Sequence, residues 1–254
     1  TKVFVPVLNI QGRRSFLIKQ AKELVAVGFA TLFEVLQHLA PYLGITFWII
    51  GASALFVLVF GSLISLVHFS HSRVLELLYN GFVSLMRATP VLLLLMLVFY
   101  GMPLLFQLVG IDISWWAKTS FAILAIGLEN SAYFSENLRS AYASLPQSQY
   151  DACTSLHFSR IAAIRRILGP QVFAAALPNI GNTLITIVKN SAYVYVIGIT
   201  DLYEQAQIIA QASFGKQQVV VFIALSLIYW AICAAIQAFF TQLERRRSWS
   251  GGAK

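Results

Sequence analysis

Three stretches of this chain, residues 42–67, 91–111 and 219–243, contain no charged side chain. Each reaches the length of about 20 apolar residues that a helix needs to cross the hydrocarbon core of a bilayer. Lipid offers the backbone no hydrogen-bond partner, so a run of this kind must satisfy its own N–H and C=O groups, as a helix does. Aromatic residues near their ends, Trp48, Tyr100 and the Trp115–Trp116 pair, suit the headgroup layer. Only 11% of the 254 residues are charged and 58% are hydrophobic, against about a quarter charged in a soluble domain. The fold expected is all-α, a polytopic bundle of membrane helices.

Two further spans are more polar. One covers about 117–142 and contains Glu129, Asn130, Glu136 and Asn137; the other covers about 171–199 and contains Pro178, Asn179, Asn182, Lys189 and Asn190. Charged and amide groups are costly in a bilayer, so these helices must turn such side chains toward protein or water. That requirement is the first pointer to a solute path. Basic residues set the orientation. Arg160, Arg165 and Arg166 against Asp151 in the connection at 140–170, and Arg245, Arg246 and Arg247 in the tail, place both segments in the cytoplasm. Five core spans then leave the connection around Asp112 and the stretch 201–218 outside, with a short inner loop near Arg73. The first 41 residues stand apart: they carry Lys2, Arg13, Arg14, Lys19 and Lys22, and residues 24–40 are apolar on one side with Glu34, Gln37 and His38 on the other. The reading favoured is an amphipathic helix in the interface, ahead of a short sixth span. The domains expected are a basic segment 1–41, a membrane unit 42–243, and a basic tail 244–254.

Other classes find little footing. Cys153 and Cys233 have no partner spacing, and His38, His68, His71 and His157 are scattered, so no metal site is expected. The net charge of +8 lies in short clusters at the ends of apolar runs, where membrane topology puts it, and not in a groove for nucleic acid.

The loop after the third core span reads Leu145-Pro146-Gln147-Ser148-Gln149-Tyr150-Asp151-Ala152-Cys153-Thr154-Ser155-Leu156-His157-Phe158-Ser159-Arg160 and closes at Ile167-Leu168-Gly169-Pro170. It resembles the coupling-loop signature of ABC importer permeases, Glu-Ala-Ala, three residues, Gly, nine residues, Ile, one residue, Leu-Pro. Asp151 stands for the Glu, Ala152 matches, Cys153 replaces the second Ala, and Ile167 and Pro170 fall at the right distances. His157 occupies the Gly position and Gly169 the Leu position; a histidine there takes a left-handed turn at some cost. Arg87-Ala88-Thr89-Pro90, then Ala132-Tyr133, Glu136, Arg139 and Leu145-Pro146, then Ala176-Leu177-Pro178, Gly181-Asn182, Lys189-Asn190-Ser191 and Val196-Ile197-Gly198, and finally Asp201-Leu202 to Ala206-Gln207, are similar in order and spacing to polar amino-acid permeases. The resemblance covers roughly 42–243.

The resemblance implies a type I importer permease without chemistry of its own, multi-pass in the bacterial inner membrane with its C-terminus in the cytoplasm. Two permease chains, identical or paralogous, enclose the path; an ABC ATPase dimer hydrolyses ATP with Mg on its own sites; an extracytoplasmic protein delivers the solute. This chain binds no cofactor in that reading, and the phosphate loop Gly-x-x-x-x-Gly-Lys-Ser/Thr does not occur in it. Asp151, Ala152, Ser155, His157 and Arg160 are the expected ATPase contact. Arg87, Thr89, Glu129, Asn130, Lys189, Asn190 and Ser191 are the expected solute path. Pro90 should bend or break the helix near Arg87; Arg87 either meets a substrate carboxylate or pairs with Glu129 or Glu136. Asn190 stands where the family often has an acid, which tilts the solute away from cations. Pro178 and Gly181 are read as a kink and a close helix crossing. The competing function is an ion-coupled secondary transporter with Glu129, Glu136 and Lys189 as its relay.

Overall fold

The computed structural model describes residues 30–69 and 72–250. The basic residues Lys2 to Lys22, the first part of the 24–40 segment, His71, and residues 251–254 lie outside the described residues, as do the side chains of His68, Arg160, Arg246 and Arg247. Among the described residues every regular element is helical. Three helices are long and apolar enough to cross a membrane: α1, Ala30–Ser65; α6, Ile161–Ile197; and α8, Gln218–Arg245, whose helix continues to Ser250. Between them lie α2, Arg73–Ala88; α3, Val91–Gln107; α4, Lys118–Ala143; α5, Gln147–Ser155; and α7, Leu202–Ala212.

The segment 30–40 continues into the first span, so the position between 41 and 42 falls inside one helix. The apolar side recognised there faces protein: Val35 and Leu39 are buried against Leu202 and Ala206 of α7 and Val221 of α8. Thr46, one turn beyond Tyr42, takes the Leu202 N–H at 3.3 Å. The buried carboxylate of Asp201 accepts the amides of Tyr203 and Glu204 and so caps α7.

The short inner loop expected near Arg73 is a helix of 16 residues, capped by Ser72, whose side chain accepts from Leu75 N–H. Its apolar residues recur on two sides: Tyr79, Val83 and Met86 are buried, while Val74, Leu77, Leu78 and Leu85 are exposed and available to lipid. The break expected at Pro90 is present. α2 and α3 meet at 108°, because Pro90 has no N–H to continue the ladder and Thr89 closes α2 with both its N–H and Oγ1 on Leu85 O. α3 ends at Gln107, four residues short of the apolar run, at a turn where Gly110 takes φ +79.

α4 is the axis of the bundle. Its 26 residues span roughly 39 Å, and one end is tied to the α7 end of the molecule by Lys118 Nζ on Gly198 O at 3.2 Å. The other end leads into α5. α4 is too polar to count as a span by composition, and it is enclosed instead: Phe121, Ala122, Ala125, Ile126, Ala132 and Phe134 are all essentially buried. Small residues make that enclosure possible. A Cβ at Gly127 would lie 2.5 Å from the Phe56 ring of α1, and one at Gly61 of α1 would lie 2.7 Å from the Phe134 ring of α4. Gly181 of α6 meets Phe240 of α8 in the same way, at 2.9 Å, which is the close crossing expected there. α6 continues in helix through Pro178.

Gly127→Leu should lower the thermal midpoint of the purified chain in detergent, by overpacking that costs about 1–3 kcal/mol. Gly44→Ala, where an added Cβ meets nothing within 4 Å, should leave the midpoint unchanged. An equal response of the two would show that the α1–α4 crossing is not tight.

Candidate functional site

The middle of α4 and the last turns of α6 carry the polar side chains that lipid forbids, and they meet. Glu129 and Asn130 of α4 and Asn190 of α6 are 8%, 1% and 8% exposed. Asn190 Nδ2 donates to Glu129 Oε2 at 2.9 Å, and Asn130 Nδ2 makes a longer contact of 3.4 Å to the same oxygen while donating to Ile126 O at 2.8 Å. Oε1 of Glu129 has no hydrogen-bond partner among the described residues, which leaves a carboxylate oxygen for a donor from a solute or water. Ser191 is buried beside them, but its hydroxyl turns back to Val188 O. Lys189, the residue before Asn190, is exposed.

Arg87 and Thr89 belong to a second cluster. Glu136, two turns along α4 and about 10 Å from Glu129, receives Arg139 through both Nε and Nη2 at 3.0 Å. Tyr79 OH of α2 donates to the same carboxylate at 2.8 Å. Arg87 reaches it only at 3.9 Å, with 47% of its side chain exposed, and sits over the Tyr133 ring at 5.4 Å. Arg87 thus pairs with Glu136 rather than Glu129, at the rim and not as a buried ion pair. Thr89 closes α2 as described. Tyr79 escaped sequence reasoning; the signal was its place on the buried side of the amphipathic pattern of α2. Arg139 and Tyr133 carry no role in the sequence motif, whereas Glu136 stands there as a candidate partner of Arg87 and as part of the competing ion relay.

The loop at 140–170 folds as a helix, a tight turn and a second helix. α5 ends in a left-handed turn whose C′ residue is His157, φ +53. The Phe158 N–H returns to Cys153 O and the His157 N–H to Thr154 O, both at 3.0 Å, which is the Schellman pattern that glycine normally serves. Cys153 is buried with Ala163 and Leu168 in a small core shared with Tyr150 and Phe158. Tyr142 of α4 packs edge-on to Tyr150, whose hydroxyl bonds Tyr142 O. Gln171 of α6 donates to Gln149 at 3.1 Å. α5 is thus fastened to both α4 and α6, while Asp151, Ala152, Ser155 and His157 face outward. Asp151 is held in place by Gln147 at 3.2 Å, and Arg160 opens the next helix. No group of three metal-ligating side chains occurs among the described residues.

Residues 57–249 match the family described as "Binding-protein-dependent transport system inner membrane component". The L-cystine transport system permease protein TcyL of Bacillus subtilis is 33% identical over 213 residues, covering 84% of this chain and 88% of that protein. The histidine/lysine/arginine/ornithine transport system permease protein HisQ of Salmonella typhimurium is 31% identical over 183 residues, 70% of this chain and 79% of its own length. Among solved structures, one described as an amino acid ABC transporter with histidines superposes with a TM-score of 0.68 at 27% identity, over 88% of this chain and 97% of its counterpart. The MetNI methionine ABC transporter shares the fold at 19% identity, with a TM-score of 0.62 over 85% of this chain and 97% of its counterpart.

His157→Val should weaken the turn, since a β-branched residue resists φ > 0 by about 1–2 kcal/mol. Amide exchange at Phe158 should quicken about tenfold, and His157→Gly should slow it. No change with either variant would mean that the turn is held by contacts other than its own backbone.

Proposed function

We propose that this chain, which belongs to the family of binding-protein-dependent transport system inner membrane components, forms the translocation path for an amino acid or similar small polar solute in an ATP-driven importer. The ion-coupled secondary transporter finds no support in that family, and its relay is not assembled: Glu136 is clamped by Arg139 and Tyr79, and Lys189 is exposed away from Glu129.

The observation that carries the solute reading is the Glu129–Asn130–Asn190 cluster. An ionisable group near the middle of a membrane helix is costly and is kept for a pathway. The carboxylate accepts amides on Oε2 and leaves Oε1 for an ammonium, such as the α-amino group of an amino acid. Relatives named for cystine and for basic amino acids share that ammonium. Asn190 in place of an acid lowers the negative charge of the site to that of Glu129 alone, which favours a zwitterion over a cation. Lys189, Ser191, Arg87 and Thr89 complete the proposed path at greater distance from the carboxylate.

The coupling reading rests on α5. Asp151, Ala152, Ser155, His157 and Arg160 meet a separate ATPase, one of two that hydrolyse ATP with Mg on their own sites; the tail and the α5 loop then face the cytoplasm. A second permease chain, a copy or a paralogue, completes the path, and a solute-binding protein delivers to the α7 end. Residues 42–243 form the permease unit, flanked by the basic segments 1–41 and 244–254. Displacement of α5 by the ATPase pulls on α4 through Tyr150–Tyr142 and on α6 through Gln149–Gln171, the two helices that carry Glu129 and Asn190.

Two measurements on the complex reconstituted in lipid test these roles. Glu129→Gln should lower amino-acid uptake about tenfold or more, as loss of a charge-assisted hydrogen bond predicts, while ATP hydrolysis persists; unchanged uptake removes Glu129 from the path. Asp151→Arg should abolish stimulation of the ATPase by the permease. Full stimulation with the reversed charge would place the contact elsewhere.

A further inference from the structure

At the α5 end of the bundle, α1, α4 and α6 do not close on one another. Between them lies a cavity of about 230 Å³. Its walls are Leu66 of the turn that follows α1, Leu138 of α4, and Leu168, Val172 and Phe173 of α6. Two serines of α1 also line it, yet Ser65 donates its hydroxyl to Ser62 O at 2.7 Å, back into its own helix, so the wall stays apolar. The opening is built into the backbone. The turn Ile164–Leu168 is a π turn, and residue 169 must be glycine for it to form, because a Cβ there would lie 2.4 Å from Ile164 O.

The rim is different in character. Leu66 and Phe173 are 51% and 44% exposed, and Arg139 lines the cavity with them. Its Nε and Nη2 form the fork on Glu136, which leaves Nη1 and the outward proton of Nη2 without a partner among the described residues. Arg165 and Arg166 are exposed on the π turn that starts at the lining residue Ile164. Arg139 on the cavity wall, with Arg165 and Arg166 on the adjoining turn and Arg87 shared with Arg139 on the one Glu136, leaves a positive surplus around the cavity. Arg139 lies four residues, about 6 Å, from the end of α4 that leads into α5.

We propose that this cavity holds one acyl chain of an anionic phospholipid of the adjacent leaflet, with the lipid phosphate at the free edge of Arg139. The shape takes a chain end and the rim takes a net negative headgroup; a zwitterionic lipid offers the same tail without the charge the rim selects. A guanidinium edge bonds phosphate oxygens in pairs, and basic pockets between membrane helices are suited to such headgroups. The walls are the ends of α4 and α6 that flank α5, so the lipid seats at the joint between the loop and the bundle. Binding is independent of solute and of ATP and is measured without either.

The test is native mass spectrometry of the detergent-purified complex titrated with phosphatidylglycerol or phosphatidylethanolamine. One phosphatidylglycerol per copy of this chain should be retained in preference to phosphatidylethanolamine. Arg165→Ser should weaken that retention about fivefold, the effect of one basic residue near a charged headgroup. Val172→Trp, which fills the cavity, should abolish it; if that variant does not assemble, Ser62→Phe fills it from the opposite wall. Equal retention of the two lipids, retention of neither, or retention that survives a filled cavity overturns the proposal.

Discussion

A carboxylate and an amide near the middle of one membrane helix, and a second amide in the last turns of another, impose the arrangement of everything around them. Glu129, Asn130 and Asn190 cannot face lipid without a large cost in solvation, so α4 is enclosed by the other helices and α6 is brought against it until the Asn190 amide reaches Glu129. Burial on that scale needs helix axes close together. Hence the glycines at the α1–α4 crossing, where an aromatic ring on each side fills the space a Cβ would take. The polar cluster and the small-residue crossings are two halves of one requirement.

Because α4 is the enclosed axis, whatever moves its ends moves the cluster. α5 is joined to α4 through Tyr142 and Tyr150 and to α6 through Gln149 and Gln171, and these are the two helices whose side chains hold Glu129. The Glu136 clamp gathers Arg139, Tyr79 and Arg87 one step nearer the loop. That clamp ties α4 to the segment just before the 108° break at Pro90, so the break is fixed to the same axis. The joints from loop to polar centre are built from side chains rather than from backbone continuity.

The turn at His157 carries a related lesson. The family pattern has glycine where this chain has histidine, and the backbone is nevertheless left-handed there. Two backbone hydrogen bonds, the burial of Cys153 and the partial burial of Phe158 hold it, which offsets a strain of about 1–2 kcal/mol. The left-handed turn forms here without glycine, so more than one residue type can adopt it when the neighbours hold it.

Hydrophobicity and spacing by themselves determined the solvent and the class: long uncharged runs can only be helices in lipid, and an ordered series of short motifs pointed to an importer permease. They also set the requirement that polar residues of α4 and α6 avoid lipid, which Glu129, Asn130 and Asn190 meet by burial while Asn179, Asn182 and Lys189 stay exposed, and they placed the break at Pro90, since a missing N–H acts locally. Tertiary structure alone decided which inward residues meet. Asn190 finds Glu129 while the adjacent Lys189 turns away, and Arg87 finds Glu136 rather than Glu129, because partner choice between helices depends on their rotation and depth. It decided too that the segment 30–40 extends the first span, with its apolar side on α7 and α8. Amphipathicity says that a helix has something to cover its apolar face; whether that cover is lipid or protein is a fact about the neighbours, and the neighbours come from 160 and more residues further along the chain.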